Sequence, residues 1–373
     1  MKRRALTDAE RIAWLRLART PSVGPVTFAG LIARFGDAGA ALDALPGLVR
    51  RGGGSAPLRI PSHADAEREI AMMERMRGRL IAWCEPDFPS ALAALDPPPA
   101  VIAVIGAPDL LTKPCVAIVG ARNASAAGLR MASTLARELG AAGYVVVSGL
   151  ARGIDGAAHQ ASLDSGTVAV VAGGPDHIYP PEHEALYRDI ATRGAIVSEN
   201  APGYRATARD FPRRNRLVSG LSLGVVVVEA AQKSGTLITA RLAGEQGREV
   251  MAVPGSPLDP RAKGTNRLLR DGAALVETAQ DVIETLGSAR RILSAPENGD
   301  AYAPLAVTED EEADAVRDRI LELLSPTPVA RDELARLAGA RPAAALAALI
   351  ELELAGRAVL LPGGFAVLAI APD

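Results

Sequence analysis

Cysteine is nearly absent from the 373 residues: only Cys84 and Cys115 occur. Two cysteines build neither a disulfide framework nor a zinc spacing, which fits a reducing compartment. Lysine is also scarce, with four (Lys2, Lys113, Lys233, Lys263) against 37 arginines, a bias of the kind genome composition produces. No long apolar run appears, so no membrane-spanning helix or membrane insertion is expected. The start, MKRRALTDAERIAW, lacks the apolar stretch of a signal peptide, and a cytoplasmic protein is expected. Net charge is −2, so the whole chain is no basic DNA binder; a nucleic-acid site would have to be a local patch. No GxGxxG follows a strand and no GxxxxGK[ST] exists, which excludes the dinucleotide fingerprint and P-loop hydrolysis. His159, His177 and His183 make no metal spacing with a carboxylate. No cofactor or metal is expected, and no catalytic residue.

The hydrophobic content of 49% is ample for buried cores, and the length suggests two or three domains. The divisions expected are a helical head of SAM or helix-hairpin-helix-like type over 1–60, an extended Rossmann-like DNA-binding domain over 61–287, a linker over 288–309 and a winged-helix tail over 310–373. In the head, Thr7 or Asp8 can cap a first helix, and Ser22-Val23-Gly24-Pro25 breaks it before 26–35 resumes helical spacing. The break is either a helix-hairpin-helix turn, whose helix N-terminus can hold a phosphate, or a plain turn in a small bundle. The missing second glycine and lysines favour the plain turn. Residues 50–57 (RRGGGSAP) read as a flexible connector.

From 113 to 286 short apolar strands alternate with helices. The strands are expected at 116–119, 144–148, 168–172, 195–198, 224–229 and 250–253. That pattern indicates an α/β fold, a doubly wound parallel sheet covered on both faces. Such sheets bind ligands at the carboxyl ends of their strands, and glycines and arginines cluster there. Between 204 and 216 stand five arginines and one aspartate, while 113–287 as a whole is net +2. Residues 211–222 (FPRRNRLVSGLS) bring Arg213, Arg214, Asn215 and Arg216 against the strand at 224–229, with Gly and Asn read as turn positions. The turn Lys233-Ser234-Gly235-Thr236 follows. Cationic forks beside free backbone N–H groups suit a phosphate chain.

Other residues carry two readings each. Tyr179 and Phe211, two of only ten Phe and Tyr residues, could stack on a base or belong to the core. Glu199 and Glu229 could be an acid/base pair, but more simply hold loop N–H groups or arginines. His159 reads as a packed helix residue and Asp155 as a helix cap. The tail carries three helices and a β-hairpin, a winged helix, yet 309–373 holds 12 acidic and 6 basic residues. A groove reader without cations cannot release counterions, so a protein-contact or structural role is expected.

SGLARGIDGAAH, FPRRNRLVSGLS, EAAQKSGTLITA, VPG and GTNRLLRDGA, in that order, resemble the DNA-processing protein A family (DprA, also called Smf). The resemblance is strongest over 79–286, and head and tail are similar to domains many members carry. It implies a non-enzymatic protein that binds and protects single-stranded DNA and helps load a RecA-type recombinase in natural transformation and recombination. It also implies a homodimer through the Rossmann-like domain, for which 264–273 with Leu268 and Leu269 is a candidate surface. Carried over by position, the DNA pocket would comprise Gly120, Arg122, Ser148, Gly149, Arg152, Arg213, Asn215, Arg216, Lys233, Ser234, Gly235 and Thr236. Phosphates would be held by Arg122, Arg213, Arg216 and Lys233, with the N–H groups of Gly149 and 234–236 as a cradle. Ala121 stands where the family often has serine. The alternative is a nucleotide phosphoribohydrolase of the lysine-decarboxylase-like type, although Pro175 and the lack of a glutamate after Thr236 depart from its loop. A third is an adaptor binding only proteins.

Overall fold

The computed structural model describes residues 3–54, 58–293, 310–361 and 363–369. The head consists of α1 (Asp8–Ala18), α2 (Pro25–Phe35), α3 (Ala38–Arg51) and α4 (His63–Arg75). Thr7 caps α1 in a reciprocal box with Glu10, and Ser62 caps α4 with Asp65. Proline opens α2, where its missing N–H costs no helix bond. The α3 helix runs through Arg51, into the stretch expected to be a connector. Both tryptophans tie the head to the sheet. Trp14, Phe28 and Trp83 meet edge to face at 5.0–5.7 Å, and the Trp14 indole donates to the Ala100 carbonyl at 2.8 Å.

The central domain begins with β1 (Gly78–Ala82), α5 (Ser90–Ala93) and β2 (Val101–Gly106). The alternating part follows: β3 (Cys115–Val119), α6 (Ala126–Ala141), β4 (Val145–Ser148), α7 (Ile154–Ser162), β5 (Thr167–Val170), α8 (Glu184–Arg193) and β6 (Ala195–Ser198). Then come α9 (Asp210–Leu221), β7 (Gly224–Val227), α10 (Thr236–Glu245), β8 (Glu249–Ala252), α11 (Lys263–Arg270), β9 (Ala274–Leu275) and α12 (Ala279–Leu293). The sheet order is β1-β2-β6-β5-β4-β3-β7-β8-β9. All neighbours from β6 to β9 are parallel, and β1 and β2 add an antiparallel edge. All six expected strands form. The chain winds outward from β3 to β6 and then returns to place β7 beside β3, so the direction reverses there.

Alternation along each strand feeds two cores. Ala117 and Val119 face α9 and α10, while Val116 and Ile118 face α6, α7 and α12. Both faces are therefore apolar, which explains why these strands read as uninterrupted Val and Ile runs. The α12 helix continues to Leu293, beyond the expected start of the linker at 288, and 294–309 lie outside the described residues.

The tail contains α13 (Asp310–Leu323), β10 (Val329–Ala330), α14 (Arg331–Leu337), α15 (Pro342–Leu354), β11 (Ala358–Leu361) and β12 (Phe365–Leu368). Its strands pair in the order β10-β12-β11, a winged helix with one short strand more than its hairpin suggested.

Candidate nucleic-acid interface

The segment 211–222 is not a turn but the helix α9, with Pro212 tolerated in its first turn. Its apolar face is Leu217, Val218 and Leu221, and helical spacing adds position 214 to that face. Arg214 is therefore buried, and its guanidinium reaches the ends of two strands. It donates to the Gly149 carbonyl at 2.6 Å and to the Val170 carbonyl. Burial pulls its pKa down to about 10, opposed by the Asp155 carboxylate. Asp155 is buried too, and burial pushes its carboxyl up while Arg214 pulls it down. Rather than capping α7, Asp155 accepts the N–H groups of Gly149 (3.1 Å) and Ala151 (3.3 Å). Gly149 is thus held by Arg214 on its carbonyl and by Asp155 on its amide. A Cβ there would lie 2.6 Å from the Arg214 guanidinium nitrogens, so only glycine fits.

The next residue, Leu150, is buried with φ +57°, a left-handed conformation costly for leucine. The ring nitrogen Nδ1 of His183 lies 3.0 Å from its carbonyl and serves as donor there. This fixed loop forms one wall of a cleft of about 150 Å³ lined by Arg122, Arg152, Tyr179, Phe211 and Arg214, among others. Tyr179 and Phe211 meet with ring centres 5.4 Å apart and planes tilted by 58°, and the Arg122 guanidinium lies 5.5 Å from the Phe211 centroid. Tyr179 is 45% exposed. Both aromatics are thus at the rim and not in the core. Arg152 pairs with Glu182 at 3.8 Å, both in solvent, a contact that stabilises little.

A second cleft, about 100 Å³, lies on the head side of α9 and shares Arg214 and Val171 with the first. Arg213, exposed, lines it with Arg19, Gly24 and Pro25 of the head.

The remaining expected residues divide into three groups. Gly120, Ser234 and Thr236 form an adjoining piece of rim at the reversal between β3 and β7. Thr236 donates its hydroxyl to the Gly120 carbonyl at 3.0 Å, and Glu229 accepts the Ser125 N–H at 2.9 Å. Lys233 and Gly235 are exposed on the same loop and line neither cleft. Ser148 is buried and donates to the Ile118 carbonyl at 2.6 Å. Asn215 accepts from Arg214 Nε at 3.2 Å, and Arg216 pairs with Glu199. The expected phosphate cradle of free N–H groups is built differently. The Gly149 amide serves Asp155, the Ser234 amide bonds to the Ala231 carbonyl and the Thr236 amide to the Ser234 hydroxyl.

His159 is buried with Nδ1 at 2.7 Å from the Thr167 hydroxyl, and burial pulls its pKa down to about 3. Glu199 and Glu229 hold Arg216 and the Ser125 amide respectively, as the simpler reading expected. Arg214 and Asp155 are the pair that residue-by-residue assignment missed; the spacing 214-217-218-221 was the available signal. Among the described residues, no cluster of three or more His, Cys, Asp or Glu could hold a metal ion. Nor is any described helix long and apolar enough to cross a membrane.

This combination, a basic cleft rimmed with aromatics on a doubly wound sheet between a helical head and a winged-helix tail, has known counterparts. The family model for DNA recombination-mediator protein A matches residues 79–287. Models for the DprA-like N-terminal HHH domain and the DprA winged helix domain match 8–71 and 304–364. The expected helix-hairpin-helix-like head thus matches an HHH domain. A putative DNA processing protein DprA of Mycobacterium tuberculosis is 35% identical over 386 residues, covering 97% of this chain and 96% of its own. The X-ray structure of DNA processing protein A from Streptococcus pneumoniae aligns with a TM-score of 0.61 at 31% identity, over 76% of this chain and 98% of that one. DNA processing protein A from Helicobacter pylori, solved to describe its single-stranded DNA binding mode, aligns with a TM-score of 0.53 at 33% identity, over 57% and 96%. The chain belongs to the DNA recombination-mediator protein A family.

Proposed function

We propose that the chain binds single-stranded DNA with little sequence preference along the face where Tyr179, Phe211, Arg122 and Arg213 meet. The observation that carries this reading is the contact cluster of Tyr179, Phe211 and Arg122 lining the Arg214 cleft. Bases stack on aromatic faces without regard to identity, and exposed guanidinium groups take the phosphates between them. Arg122 and Arg152 are exposed cations of this cleft, Arg213 is an exposed cation of the second cleft and Lys233 one of the adjoining loop. Arg216 stays with Glu199 and orients α9. The activity is binding and not catalysis. The bound strand is protected and handed to a RecA-type recombinase in transformation or recombination, by a homodimer of the central domain acting in the cytoplasm. Leu268 and Leu269 of α11, both half-buried, are candidates for the dimer surface.

Fluorescence anisotropy of a labelled single-stranded oligonucleotide across a salt series tests the reading. With about four phosphates neutralised, the log–log slope is expected near −3, from roughly 0.7 per phosphate. A duplex of equal length is expected to compete poorly. A slope near zero, or equal competition by duplex, overturns it.

A further inference from the structure

The acidic tail has a partner within its own chain. The α15 helix has two buried faces. Leu349, Leu352, Ala345 and Ala348 belong to the tail's own core, whereas Ile350 and Leu354 belong to the core of the head. Between these faces lies Glu351, fully buried at 0% exposure. Its carboxylate meets Arg51 of α3 at 3.0 Å, Arg34 of α2 at 3.6 Å and Arg317 of α13 at 2.5 Å. One buried anion is thus shared by cations from both domains. Beside it, Thr27 of α2 donates its hydroxyl to Glu353.

The head's glycines are placed for this contact. Gly30 sits inside α2, where glycine weakens a helix, and a Cβ there would come 2.4 Å from Ile350 Cδ1. At Gly52 a Cβ would lie 2.1 Å from the Glu351 carbonyl oxygen, and at Gly53 one would lie 2.9 Å from Arg357. At Gly54 a Cβ would stand 3.2 Å from the Cα of Ala355. The glycine run that resembles a flexible connector is therefore a seat for the end of α15. In winged-helix proteins a helix of this kind is the element that enters a DNA groove. Here it is covered, and it carries two glutamates and no cation.

We infer that the winged helix is an intramolecular docking module whose partner is the helical head of the same chain, with Glu351 as its ionic anchor and Gly52 as the point of closest approach. Duplex DNA is not its ligand.

Spin labels on Asp43→Cys in α3 and Leu337→Cys in α14, both exposed positions, report the docking in the full-length chain. The native cysteines are both buried. Pulsed electron resonance is expected to give one narrow distance distribution, which Gly52→Val broadens and lengthens. Gly30→Leu is expected to do the same, and adding Ile350→Ala is expected to restore the narrow distribution. That pair keeps the test decisive if Gly52→Val does not fold. A broad distribution in the parent overturns the inference, as does a narrow one unchanged by both Gly52→Val and Gly30→Leu.

Discussion

Gly149 has Arg214 on one side and Asp155 on the other, and of the two charges Arg214 also lines the cleft. Neither is free to act on a ligand; together they set the loop that shapes the wall. Removing one leaves the other buried without its counter-charge, which costs about 3 kcal/mol or more, while removing both together costs less. Arg214→Met is therefore expected to lower stability by about 3 kcal/mol, and Asp155→Asn added to it to recover part of the loss, as a denaturant double-mutant cycle reads out. His159 makes a second prediction at this scale. Its folded pKa is pulled down to about 3, well below the ordinary histidine value, so between that value and pH 3 the unfolded chain binds the extra proton. Stability is thus present above about pH 6.5 and falls as the pH drops toward 3. A His159→Phe variant is expected to lose that component, giving a flatter stability profile across this window by chemical denaturation at stepped pH.

At the scale of the element, α9 divides its side chains by helical phase. Arg214 points to the strand ends and Arg216 to Glu199, while Phe211 and Arg213 stand toward the two clefts. Phe211→Ala is expected to weaken single-strand binding by about tenfold, in line with stacking worth roughly 1–3 kcal/mol per base, without moving the melting temperature much. Anisotropy and thermal melts on the same preparation check both halves. The parallel strands were legible in the sequence because each is a short run of Val, Ile and Ala facing two cores, a pattern few other elements produce. The α9 helix was harder to read, since three arginines, an asparagine and Pro212 look like a polar turn until position 214 is placed on the apolar face. The two-residue β9 and β10 leave no periodicity to detect. The glycines at 52–54 misled for a related reason: close approach and flexibility have the same composition, and only the partner's position distinguishes them.

At the scale of the whole molecule, the head connects to everything else. The cluster of Trp14, Phe28 and Trp83 fastens it to the sheet, its α2 start lines the second cleft beside Arg213, and α2 and α3 seat the tail. Phe28 is 1% exposed, so Phe28→Ala is expected to cost about 3–5 kcal/mol and to separate a head transition from that of the sheet in calorimetry. A single transition at the parent's temperature would contradict that coupling. The assembly also explains how a chain of net charge −2 can bind a polyanion: the acidic excess is carried by the tail, while Arg122, Arg152 and Arg213 stay exposed.

The most direct test of the account is photochemical cross-linking of an oligonucleotide carrying bromodeoxyuridine, with the attached residue located by mass spectrometry. Attachment is expected at Tyr179 or Phe211, abolished by excess unlabelled single strand and not by duplex. Attachment confined to α15 or the tail hairpin, with none on the Tyr179–Phe211 rim, would contradict it.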